Sequence, residues 1–249
     1  MNYTPNNKYT RFISKRNNDL KILKVSLQKN LGISFADLYP LSQSQETLSM
    51  YNETQCKYEL KDFILPIRQQ RHLFPVGIEP KIRININFTL DIDKWEEGEE
   101  AFLDYYFSII IFGNMQIDNK EKIFSVCWHI DKDDASSSDE SHPLYHMQLS
   151  DTRPYISSDS AFSWGDAIHL DTPRIVHYPL DLYLGIGFVI RNFYHKSDFE
   201  KLIADSQFSH LYRESENHIL KPYYYSIMHK WDSTLRTSID YHKLCPHLL

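Results

Sequence analysis

Glycine is scarce. The chain has 7 in 249 residues, under half of the usual share of about 7%. Sites built on glycine loops are therefore not expected. Gly185 and Gly187 supply only the first two positions of a G-x-G-x-x-G, with Ile190 where the third would stand. No Walker A sequence occurs either, which argues against standard dinucleotide and P-loop chemistry. Cysteine is also sparse: Cys56, Cys127 and Cys245 are odd in number and never spaced C-x-x-C. A four-cysteine zinc site is thereby excluded, a disulfide framework is not expected, and a reducing compartment fits. The N-terminal Met1-Asn2-Tyr3-Thr4-Pro5 lacks the apolar core of a signal peptide. No apolar run approaches the roughly 18 residues that a membrane span needs. The expectation is a cytoplasmic chain with no membrane contact. A basic surplus is missing too. Lys plus Arg number 27 against 33 Asp plus Glu, for a net charge of −6 with neutral histidine. That argues against a globally basic nucleic-acid coat while leaving room for a local basic groove.

What the chain has in excess is tyrosine, at 17, and histidine, at 12. Along the sequence, residues 18–31 predict a helix capped by Asn17 or Asn18, with Leu20, Leu23, Leu27 and Leu31 on one face and Gly32 at its stop. Residues 43–62 read as weakly patterned helix, and Pro66, Pro75 and Pro80 mark a connector. Then the period changes to two. Ile82, Ile84, Ile86, Phe88, Leu90 and Ile92 alternate with Arg83, Asn85, Asn87, Thr89 and Asp91, the pattern of a strand with one buried face. Further strands are expected over 101–112, 122–131 and 143–149, joined by connections short enough for an antiparallel meander. After Pro179, residues 180–194 predict a buried helix with Asp181 in its first turn. Ser197 and Glu200 suggest a capping box for the next one. Helices over 207–219 and 223–240 follow, separated by Pro222. The fold class expected is α+β: an antiparallel sheet of four to five strands packed by C-terminal helices. Residues 1–75 are read as an N-terminal helical extension to an α+β core at 76–249, together one compact unit.

Five of the twelve histidines fall between 129 and 177. Parity places His129 and Asp131 opposite Trp128 on one strand, and His146 and Gln148 opposite Tyr145 and Met147 on the next. Pro143 prevents a helix that would pair His142 with His146 at one turn. If the two strands form a hairpin, their histidines share a face that Arg83, Asn85, Asn87, Asp104 and Tyr106 extend. Such a face suits acid/base work on a phosphodiester. His129, His142, His146 and His177 would move protons, and Arg174 would clamp the anion. Convergence of His129, His146, His169 and His177 in one cleft is the observation that would decide it. No cofactor is expected apart from a divalent metal, for which His129, Asp131 and His146 are the candidate ligands. Asp133, Asp134 and His142 offer further donors, although no known ligand spacing is matched. Taken singly, a strand histidine is more often a partly exposed or backbone-satisfied residue than a catalytic one. The run Ser136-Ser137-Ser138 shows no nucleophile elbow. The neighbouring Tyr223, Tyr224, Tyr225 and Trp231 read as packing residues, or else as a patch that stacks bases or binds a partner.

Three segments carry a resemblance: a strand ending Trp128-His129-Ile130-Asp131, a following His142-Pro143-Leu144-Tyr145-His146, and Pro173-Arg174-Ile175-Val176-His177 ahead of a helix. Together they resemble small bacterial toxin–antitoxin and phage-defence-linked proteins, over about residues 120–195. The richness in Asn, Lys, Ile and Tyr also matches an AT-rich bacterial or phage genome. The resemblance implies either an RNase or an accessory subunit. Two readings follow. The first is a non-catalytic interaction subunit of a bacterial defence or toxin–antitoxin system that binds a protein partner, since no specific catalytic motif is present. The alternative is a histidine-dependent nuclease or nucleotide phosphodiesterase, with nucleic acid or a nucleotide as its partner.

Overall fold

The computed structural model describes residues 7–68, 78–133, 142–150 and 174–248. Its first element, α1 (Asn7–Leu31), begins about ten residues before the expected cap at Asn17 or Asn18. Leu20, Leu23, Leu27 and Leu31 are buried along one side, as their spacing requires. Gly32 ends the helix at φ 61°, its N–H reaching the Gln28 carbonyl at 3.0 Å. The extra turns are held from outside the helix. Lys8 Nζ lies 2.5 Å from an Asp93 oxygen, Tyr9 donates to the same carboxylate at 3.1 Å, and the Arg16 guanidinium sits over the Trp95 ring at 5.4 Å.

The segment read as helix over 43–62 is helical only to Thr47 and is strand over half its length. A short α2 (Tyr39–Thr47) gives way to β1 (Ser49–Met50) and β2 (Gln55–Pro66). Cys56, Tyr58 and Leu60 bury one parity, and then the parity changes to Phe63 and Leu65. The register against β3 (Lys81–Asp91) shifts between Leu60 and Phe63, where Asp62 takes φ 52°. This bulge turns two successive side chains outward and hides the alternation of the strand. The first 75 residues are therefore not a helical extension throughout, because β2 is bonded into the sheet along β3.

After α3 (Ile92–Glu97) come β4 (Phe102–Ile117), β5 (Lys120–Lys132), β6 (Tyr145–Ser150) and β7 (Ile175–Val176). Among the described residues the sheet has seven strands rather than four to five, every neighbouring pair is antiparallel, and the spatial order is the chain order. The two outermost strands have two residues each, too short to leave a periodic mark.

One face of the sheet carries the core. Ile82, Ile84, Ile86, Phe88 and Leu90 of β3, Phe107 and Ile109 of β4, Ile130 of β5 and Tyr145 of β6 are all buried. Each such side chain contributes about 1.5–3 kcal/mol by leaving water. Against this face lies α4 (Leu182–Phe193). Asp181 caps it, accepting from Leu184 N–H at 2.9 Å and from the Ser215 hydroxyl at 2.5 Å. Tyr105 of β4 fixes the approach, since its hydroxyl donates to the Leu180 carbonyl at 2.9 Å and accepts from the Leu180 N–H at 2.7 Å. The contact is close enough that a Cβ on Gly185 would stand 2.6 Å from the Phe107 ring.

Three further helices follow: α5 (Lys196–Ala204), α6 (Ser206–Ser215) and, after a π turn at Glu216–Leu220, α7 (Lys221–His229). The expected capping box is absent, because His195 precedes α5 without a side-chain cap bond and Ser197 lies inside the helix. Pro222 does not separate two helices. It sits in the first turn of α7, where its missing N–H costs nothing. Residues 230–240 are not helical, and α8 (Tyr241–Leu244) closes the described chain. None of the three cysteines is in a disulfide. No helix among the described residues is long and apolar enough to cross a membrane.

Candidate functional site on the polar face of the sheet

The register of three strands assembles the site. Asp131 of β5 is paired with Tyr106 of β4 on one side and with His146 of β6 on the other. Two residues back, His129 is flanked by Ser108 and Gln148. Residues two apart on a strand, and residues directly paired across strands, project to the same side. Tyr106, His129, Asp131, His146 and Gln148 therefore share the face turned away from α4. Asn85 and Asn87 continue it onto β3. This is the polar face that the sequence parity predicts.

The Asp131 carboxylate lies between two imidazoles. Its Oδ1 is 3.0 Å from His146 Nε2, and its Oδ2 is 3.5 Å from His129 Nε2. Asp131 Oδ1 is buried and has no hydrogen bond of acceptable geometry; neither has Nδ1 of His146. The Tyr106 ring stacks over His129, centroids 5.8 Å apart and planes 21° apart. His142 is a neighbour rather than a member of this triangle. Its ring is 6.1 Å from that of His146, while its Nδ1 contacts the Asp133 carboxylate.

Burial sets the charge states. His146, only 4% exposed, is pushed below the ordinary imidazole pKa by desolvation. Arg174 and His129 act in the same direction, and with burial they outweigh the Asp131 carboxylate and the nearby Pro143 carbonyl. For Asp131, burial acts upward, but the hydrogen bond from His129 and the charges of both imidazoles hold its pKa below the usual carboxylate range. At neutral pH the pair is an imidazole beside a carboxylate.

The other expected residues fall in different places. Arg174 precedes β7 by one residue, and its charge reaches His146. His177 does not join the cluster. Val176 pairs with His146, so the alternation sends His177 to the opposite, helix-covered side. There its N–H bonds the Tyr145 carbonyl at 3.2 Å, its Nδ1 is 2.6 Å from the Tyr178 carbonyl, and its ring meets Phe188 of α4 edge-on at 6.1 Å. A histidine held this way is a packing residue. His169 and Asp134 lie outside the described residues.

A second surface was only half legible in the sequence. Of the tyrosine run, Tyr223 is buried, whereas Tyr224 is 47% exposed. Met228 and Trp231 follow it at 49% and 68% exposure, with Trp231 N–H bonded to the Met228 carbonyl as α7 unwinds. The spacing i, i+4, i+7 puts the three on one stripe, in the pattern of helix anchors that seat in a partner's groove. The spacing was there to be read, but the burial of Tyr223 beside it was not.

No protein-family model, curated protein or solved structure matches the chain.

Proposed function

We propose that the chain is a hydrolase of phosphate esters, a nuclease or nucleotide phosphodiesterase, acting at the polar face of the sheet. One observation carries the reading: His129, Asp131 and His146 converge there on adjacent strands, with an imidazole kept neutral by burial beside an ionised carboxylate. A neutral imidazole accepts a proton from water, a carboxylate beside it orients the ring and stabilises the imidazolium, and Arg174 supplies positive charge for a phosphate. The direct test is cleavage of single-stranded RNA, single-stranded DNA, cyclic dinucleotides and a chromogenic phosphodiester by wild type and by His146→Ala. Cleavage by the wild type that falls by at least about 100-fold in the variant is expected for an acid/base group. No cleavage of any substrate, or equal cleavage by both proteins, would sink the reading.

A second reading rests on the Tyr224–Met228–Trp231 stripe. Large exposed aromatic and methionine side chains concentrate at protein interfaces. They support an interaction subunit that binds a protein partner, of the kind that the resemblance to bacterial toxin–antitoxin and phage-defence proteins implies. Co-purification with the products of neighbouring genes tests it, with Trp231→Ala expected to release the partner.

A further inference from the structure

Among the described residues, His129, Asp131 and His146 each offer one donor atom, and these atoms lie within 4.8 Å of one another. We propose that the three side chains bind one divalent first-row transition cation, of the class of Zn2+ or Mn2+, with a coordination position left open toward the polar face. The proposal rests on the hydrolase reading and changes its chemistry: an imidazole that ligates the cation no longer accepts a proton, and the cation activates the water instead. The binding itself is tested apart from that reading, because a cation can be bound whether or not anything is cleaved.

Donor chemistry sets the class of ion. Two imidazole nitrogens and one carboxylate oxygen suit Zn2+, Mn2+ or Fe2+, whereas Mg2+ and Ca2+ prefer all-oxygen shells. Three protein ligands with a free position are also the usual composition of a catalytic zinc site. The spacings fit. With bonds of about 2.1 Å, neighbouring ligands stand about 3.0–3.4 Å apart. Asp131 Oδ1 and His146 Nε2 stand 3.0 Å apart, His129 Nε2 stands 3.5 Å from the other oxygen of the same carboxylate, and one donor atom from each residue lies within 4.8 Å of the others.

A second observation is independent of the spacing. Asp131 Oδ1 is buried and faces His146 Nε2 at 3.0 Å without hydrogen-bond geometry. A buried carboxylate oxygen left in that state carries an unmet desolvation cost. A cation bound between the two atoms removes the cost, because both then donate lone pairs to it. The supports are strand backbones fixed by the pairing of Asp131 with His146, so the ligands are held in place before any ion arrives. His142 is not needed, since it is engaged with Asp133. The charge of Arg174 near His146 opposes a bare cation and favours one that shares the site with an anionic substrate.

The experiment is titration calorimetry of the chelator-treated protein with Zn2+, Mn2+ and Mg2+, accompanied by thermal melts with and without each ion. One Zn2+ or Mn2+ per chain is expected, with a rise in melting temperature and little response to Mg2+. Asp131→Asn and His146→Gln should each weaken binding by more than the 10–100-fold typical of an outer-shell change. His218→Gln, a histidine stacked on Trp95 far along the chain, should leave binding unchanged. Stoichiometric binding that survives both site variants would overturn the proposal, as would no binding by folded wild type. If either site variant fails to fold, the wild-type titration and melt still decide. Hydrolysis that persists in excess chelator would remove the cation and keep the hydrolase. Tight binding with no hydrolysis would keep the cation and remove the hydrolase.

Discussion

Asp131 Oδ1 and His146 Nε2 face each other at 3.0 Å across β5 and β6, yet no hydrogen bond joins them. The strand register brings them directly opposite, while the carboxylate turns its other oxygen toward His129. Asp131→Asn, which keeps the shape and removes the charge, should lower phosphodiester cleavage by about 10²–10⁴-fold, the usual worth of an acid/base group. The far-UV spectrum and melting temperature should stay close to wild type. Parallel losses of kcat/KM and of the folded signal would count against a site role.

The cap on α4 is a different kind of test, one of stability. Asp181 is buried and accepts from Leu184 N–H and from the Ser215 hydroxyl. Burial pushes its pKa up. Asp181→Ala should cost about 1–3 kcal/mol in urea unfolding, because it orphans two buried donors. Asp181→Asn keeps an acceptor without a charge to desolvate and should cost much less.

Gly185 is demanded by the distance between α4 and β4. A Cβ there stands 2.6 Å from the Phe107 ring, and Phe107 is itself buried. Gly185→Ala improves helix propensity by roughly 1 kcal/mol, but overpacking a dense core costs about 1–3 kcal/mol. Net destabilisation in a denaturant titration is expected. Gly185→Ala combined with Phe107→Leu should recover part of it.

Acid should unfold the protein partly through His177. Its pKa is lowered by burial, against a smaller upward pull from the Tyr178 carbonyl. The unfolded chain, with an imidazole near 6.5, then binds more protons than the folded one. Stability from this residue is present above pH ~6.5 and falls as pH drops from there through the lower folded value. His177→Gln does not titrate, so its unfolding free energy should vary less than that of wild type between pH 7.5 and 5. A wild-type curve with the same slope as the variant would refute the assignment.

The α7 stripe gives the last prediction. Trp231 is largely in solvent, so Trp231→Ala should leave the melting temperature within about 1–2 °C while weakening capture of a protein partner by at least about 10-fold, as for an interface hot spot. Unchanged capture would place the partner elsewhere.

How much of this was legible depends on whether the signal was local. The unbroken alternation of Ile82 through Leu90 announced β3, and the same rule put His129 and Asp131 on one face of their strand, with His146 joining them only on the condition that the two strands pair, which the register supplies. Where the signal is interrupted, it misleads. The bulge at Asp62 broke the parity of β2 and made the segment look helical. The first turns of α1 depend on Asp93 and Trp95, about eighty residues away, and no window on the sequence contains both. His177 shows the limit of counting: it is close in sequence to the other histidines, but one residue past Val176 it lies on the wrong side of the sheet.

Because the strands lie in space in the order they occur in the chain, each one closes against the strand just made. The three proposed ligands fall within 18 residues, on a single hairpin of β5 and β6. The connection between them is residues 133–144, and closure entropy grows only slowly with loop length. A cation held by these residues would fasten β6 to β5 close to the margin of the sheet, where β7 adds only two residues of pairing.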